Sequence, residues 1–148
     1  MTMPIPERIA AARTGANPAV ICRVPSGWVV MCDMQYLRGY TILLADPPVA
    51  SINDLERPLR AAYLCDMALI GDALLEVTGA YRINYGVMGN SDPYLHAHIV
   101  PRYMSEPENF RLGLPWSYPK KLQDQVLFDF ERDKELMGQI ATAIQKRL

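Results

Sequence analysis

The chain has 148 residues, half of them hydrophobic and 21% charged, a folded globular composition rather than a disordered or fibrous one. Fifteen Lys and Arg against sixteen Asp and Glu leave a net charge of −1, without the basic footprint of a general nucleic-acid or membrane-surface binder. The three cysteines, Cys22, Cys32 and Cys65, form no C-x-x-C pair, which argues against a disulfide framework and a cysteine-rich zinc site.

Residues 4–13 read as a short helix, stopped by the Gly15-Ala16-Asn17-Pro18 breaker. Residues 19–24 and 28–32 are apolar, β-branched runs around Pro25-Ser26-Gly27, the pattern of strand, tight turn, strand. Residues 40–45 form a third strand, closed by Asp46-Pro47-Pro48, and an antiparallel meander is the economical topology for strands so closely joined. Residues 58–77 change period. Apolar side chains occupy several helical rows, Pro58 suits the first turn and Gly79 the stop. Strand character returns at residues 81–87 and 95–100, with Gly89 to Pro93 as the bend between them. Residues 104–121 are proline-punctuated and irregular. In residues 131–148, Leu136, Ile140, Ile144 and Leu148 repeat every four residues, the stripe of a helix docking on a core.

The expectation from these elements is one α+β domain, 1–148, with an antiparallel sheet of about five strands, one long helix and a C-terminal helix. The first fifteen residues, MTMPIPERIAAARTG, lack the apolar core of a signal peptide, and no apolar run is long enough to span a bilayer. A soluble cytoplasmic protein is the expectation.

Both histidines of the chain lie in one run, GNSDPYLHAHIVPRY, residues 89–103. On a strand, residues two apart share a face, so His96 and His98 project together while Leu95, Ala97 and Ile99 point the other way. The upstream bend, Gly89-Asn90-Ser91-Asp92-Pro93, offers backbone N–H groups and short polar side chains suited to cradling an anion. Three readings fit the pair. The histidines are structural; or they are half of a metal site, which needs further ligands that no other histidine supplies; or they perform nucleophilic chemistry on phosphorus.

The same run resembles the signature of the histidine triad (HIT) superfamily of nucleotide hydrolases and transferases, three histidines alternating with apolar residues and followed by an aliphatic pair and Pro-Arg. Ile99-Val100-Pro101-Arg102 sets the register. His98 matches the third histidine and His96 the second, the nucleophile; Tyr94 stands in the place of the first. Asn84 and Gly89-Asn90-Ser91 resemble the family's Asn and Gly-Gln-Ser/Thr segment, with Asn90 replacing glutamine. Residues 28–44 resemble the strand pair that forms its nucleoside pocket, and in all residues 19–103 are covered.

The resemblance implies attack by His96 on the α-phosphorus of a nucleotide derivative, a dinucleoside polyphosphate or a nucleoside phosphoramidate, through a nucleotidyl-histidine that water releases. It assigns catalysis to His96 and His98. Asn84, Gly89, Asn90, Ser91, Asp33 and Tyr94 are the phosphate- and nucleotide-binding positions, with Cys32 competing with Asp33 for the ribose. No metal or cofactor is implied; the partners are a small-molecule nucleotide and a second copy of the chain in a homodimer, with no nucleic acid or membrane. A tyrosine at the first position leaves a second outcome, a nucleotide-binding protein with little or no turnover. Arg102 has two readings, a phosphate contact or, more often at a strand end, a solvated or salt-bridged surface group; Trp116 either covers the site or packs beneath its loop, the commoner case.

Overall fold

A computed structural model describes residues 3–148. Helix α1 (Ile5–Thr14) precedes three strands, β1 (Val20–Val24), β2 (Gly27–Met31) and β3 (Thr41–Ala45). The long helix α2 (Arg57–Thr78) leads into β4 (Arg82–Val87) and β5 (His96–Arg102). Two short helices, α3 (Glu108–Arg111) and α4 (Lys120–Gln123), lie in the irregular segment, and α5 (Phe130–Gln145) follows them. The architecture is α+β, as the patterning predicts. None of the described helices is long and apolar enough to cross a membrane.

All strand pairs are antiparallel, in the order β1-β2-β3-β5-β4. The first three strands form the expected meander. β5 then lies between β3 and β4, so the histidine strand is central and β4 is an edge. A central strand is flanked on both sides, and this fixes its side chains more tightly than an edge would.

Helices α2 and α5 cover one face. Tyr63, Ile70 and Leu74 of α2 are buried with Leu136, Ile140 and Ile144 of α5, against Leu43, Ala97 and Ile99 of the sheet. The Tyr63 hydroxyl donates to the Leu43 carbonyl at 2.8 Å, satisfying a polar group inside that layer. Asp66, also buried, accepts the Ser26 N–H at 2.9 Å and so ties α2 to the β1–β2 turn. The expected stripe of α5 is there, with Leu136, Ile140 and Ile144 inward and Leu148 outside the helix and exposed.

Candidate active site

The sheet's other face carries both histidines. The register pairs Leu44 with His96, Ile42 with His98, and Gly86 with His98 from the opposite side. Partners in an antiparallel ladder point to one face, so His96, His98, Val100 and Arg102 share it with Asn84 and Gly86 of β4. The two imidazoles stand edge to face, with ring centroids 5.0 Å apart.

Each ring is held at Nδ1. His96 Nδ1 lies 2.7 Å from the Tyr94 carbonyl oxygen. A carbonyl only accepts, so this nitrogen carries the proton and the neutral ring keeps its lone pair at Nε2. His98 Nδ1 lies 2.7 Å from the Tyr40 hydroxyl, which also receives the Trp116 indole N–H at 3.0 Å. Burial, with help from the neighbouring His96, lowers the His98 pKa to about 4, so this ring is neutral at pH 7.

Gly89 to Ser91 lie in the bend between β4 and β5. Gly89 has φ 79°, the left-handed conformation that opens the bend without a Cβ penalty, while Asn90 and Ser91 are exposed. Asp92 and Leu95 anchor the rest of the connection: the Asp92 carboxylate accepts from the Ile5 N–H at 3.3 Å, and the Leu95 N–H donates to Val49 at 2.8 Å. The bend is therefore pinned beside the N-terminal end of β5, where His96 begins the strand.

Tyr94 contributes through its backbone. Its ring packs against the core, and its hydroxyl has no hydrogen-bond partner among the described residues. Asn84 is placed on the histidine face, where its Oδ1 accepts from Arg102 at 2.7 Å; that bond leaves the two amide N–H donors unused.

Asp33 is held from α1. Arg8 of α1 grips its carboxylate with both terminal nitrogens, at 3.2 and 2.6 Å. Cys32 continues the alternation of Trp28 and Val30 onto the histidine face, but it is buried in a cluster with Tyr40 and Val100 and its thiol is pushed up to about 12 by that burial.

Arg102 is salt-bridged, as one of its readings has it, but it is neither solvated nor at the surface. Its side chain is 2% exposed and pairs with Glu106 at 3.0 Å. Its guanidinium also donates to the carbonyls of Phe110 and Gly113, both at 2.8 Å. It is the staple of the irregular segment, so all five of its donors are spent on the protein.

Trp116 takes the less common of its two readings and covers the histidines. Its ring lies against His98, with centroids 5.5 Å apart, and over Gly86, where a Cβ would stand 2.6 Å from the indole. The indole reaches the histidine face because β4 has no side chain there. Among the described residues no three His, Cys, Asp or Glu side chains converge as a metal site would require.

No protein-family model and no curated protein matches this sequence. Solved structures match its shape. A histidine triad protein from Marinobacter aquaeolei superposes with a TM-score of 0.74 at 19% identity, covering 95% of this chain and 94% of its own. A second, from Sinorhizobium meliloti, gives a TM-score of 0.69 at 21% identity over 87% and 88%. This is the histidine triad fold.

A third match in the same fold is diadenosine triphosphate hydrolase from Plasmodium falciparum, with a TM-score of 0.60 at 14% identity over 88% of this chain and 78% of that one. In this histidine triad fold Tyr40 is the contact that sequence reading missed, and Trp116 the one it left between covering the site and packing. Tyr40 leads the alternating row Tyr40-Ile42-Leu44, a pattern that marks a strand face but not which strand pairs with it. Trp116 sits in a segment without periodicity, and nothing in its neighbours points to His98.

Proposed function

We propose that this protein is a nucleotide-binding phosphohydrolase that cleaves a nucleotide derivative at the α-phosphorus through a nucleotidyl intermediate on His96. The observation that carries the reading is the 2.7 Å contact from His96 Nδ1 to the Tyr94 carbonyl, which leaves the Nε2 lone pair for attack. The Nε2–phosphorus bond forms as the bond to the leaving group breaks, and the leaving group takes that electron pair. The ring then becomes a phosphorylated imidazolium, and its Nδ1–H bond to the carbonyl stabilises the positive charge. Water attacks the phosphorus in the second step, releasing the mononucleotide and restoring the Nε2 lone pair.

His98, the Ser91 hydroxyl, the backbone N–H groups of Gly89 to Ser91 and the Asn84 amide are the donors assigned to the phosphate oxygens. The Plasmodium falciparum structure in the same fold is a diadenosine triphosphate hydrolase, which supports dinucleoside polyphosphates as the first substrate class to test. Nucleoside phosphoramidates are the second. The second reading, nucleotide binding without turnover, draws on the Tyr94 phenol, which cannot carry an imidazole's positive charge at pH 7.

A panel of adenosine and guanosine dinucleoside polyphosphates and phosphoramidates, with product identification, tests the reading. The expected outcome is a mononucleotide from at least one substrate, with His96→Ala slower by about 1000-fold. Binding across the panel with no product above background selects the second reading. Near wild-type turnover by His96→Ala eliminates the mechanism.

A further inference from the structure

We propose that Tyr40 and Trp116 are positioning residues that hold His98 as the neutral tautomer with its proton on Nε2. His98 then presents an N–H donor beside the Nε2 lone pair of His96. The inference concerns the same site and rests on the proposed function only for the effect on turnover.

The donors and acceptors around Tyr40 fix the tautomer. An indole nitrogen donates and never accepts, so the 3.0 Å contact makes the Tyr40 oxygen an acceptor from Trp116. The phenol's own proton then needs an acceptor, and His98 Nδ1 lies 2.7 Å away. A neutral imidazole that accepts at Nδ1 carries its proton at Nε2. The reverse tautomer would direct two N–H donors at one phenol oxygen. It would also leave the phenol proton only the Cys32 sulfur, a weak acceptor, around Tyr40, a residue 1% exposed. An unmet polar group in such a place is costly.

The surroundings bring no net charge that would draw a proton to Nδ1. His96 stands beside the ring, Tyr36 packs edge-on against Tyr40, and Cys32 lies in the same buried cluster. Burial pushes the Tyr36, Tyr40 and Cys32 groups upward, keeping all three neutral at pH 7. The full charges that act on this cluster come as ion pairs, Arg102 with Glu106 and Arg8 with Asp33. Gly86 completes the device, because any side chain there would displace the indole that fills the phenol's acceptor site.

The consequence is a division of labour between two chemically identical side chains. His96 offers a lone pair and His98 a proton that it keeps. No proton has to pass between the rings before attack, and the donor is aimed before substrate arrives.

Nitrogen-15 NMR of histidine-labelled protein at pH 7 tests this directly. Wild type should show His98 with an unprotonated Nδ1 and a protonated Nε2, and His96 the opposite pattern. In Tyr40→Phe the His98 signals should move toward a mixture of tautomers, and kcat should fall about tenfold, the worth of one neutral hydrogen bond, with KM little changed. Gly86→Ala and Trp116→Phe keep the phenol and should move the same signals by less, so the test survives if Tyr40→Phe fails to fold. A wild-type His98 protonated at Nδ1, or a Tyr40→Phe spectrum identical to wild type, overturns the proposal. Wild type without turnover but with the stated tautomers would sink the hydrolase reading and leave this one standing. Altered tautomers with unchanged kcat would confine the relay to structure and overturn its positioning role.

Discussion

His98 is a half-buried base with a depressed affinity for protons, and that has a cost in acid. Its folded pKa is about 4 against about 6.5 in an unfolded chain. Between those values the unfolded state binds a proton that the folded state does not, so this stability is present above about pH 6.5 and is lost as pH falls toward 4. Going from pH 7 to pH 5 should cost about 2 kcal/mol through this group alone. Urea unfolding of wild type and His98→Gln at both pH values measures it, and the expected difference is a shallower pH dependence in the variant. Identical pH dependence would mean that His98 is more accessible to protons than its burial indicates. Of the site, the same-face placement of His96 and His98 was legible, because alternation on a strand needs no tertiary knowledge. Tyr40 and Trp116 were not, since their contacts with His98 span 58 and 18 positions along the chain and depend on which strands pair. Asp33 was legible as a carboxylate near a strand end, but not as the partner of Arg8, which arrives from another helix.

At the scale of elements, most boundaries follow from local chemistry. Proline in the first turn and Gly79 at the stop bracket α2, and the four-residue repeat marks the buried side of α5. Residues 104–121 were legible only as irregular, because their order comes from side-chain to backbone contacts, chiefly those of the buried Arg102 at their start. Arg102 binds Glu106, which also accepts from the Tyr103 N–H and the Tyr118 hydroxyl, both at 2.7 Å. Burial alone would raise the Glu106 pKa, but Arg102 and these donors hold it below the usual range. Removing one partner of a buried ion pair leaves the other charge uncompensated. Arg102→Ala should therefore destabilise the protein by about 3–5 kcal/mol and free the segment carrying Trp116. Chemical denaturation gives the first quantity, and proteolytic nicking between residues 104 and 124 reports the second. A variant as stable and as protease-resistant as wild type would show that the segment is held by its aromatic packing instead.

For the whole molecule, sheet order was the part that pattern could not supply. Strand spacing gave five candidates, yet placing β5 between β3 and β4 requires the long crossover through α2 to be closed. That order also makes β4 an edge with exposed Tyr85 and Val87, beside an apolar row on α2. Met67, Ile70 and Leu74 turn inward, while Leu64, Ala68 and Leu75 stay exposed, and the Tyr85 hydroxyl lies over Gly71 in the same row. α5 packs alongside α2 without covering this row. An edge strand continuous with an apolar helix row is an aggregation hazard unless another chain covers it. The expectation is a two-fold homodimer that uses this surface. Light scattering at micromolar concentration should give twice the chain mass, and Leu64→Lys with Val87→Lys should return a folded monomer. A wild-type monomer would contradict the assembly.

The nucleotidyl intermediate on His96 is the claim on which the rest depends. Protein mixed with an excess of a substrate from the panel, quenched in alkali within milliseconds and digested, exposes the site to mass spectrometry. One mononucleotide adduct on His96, in the peptide 83–102, and none in His96→Ala, is the predicted result. Product released at full rate with no adduct at any quench time, or an adduct that persists in His96→Ala, would contradict it.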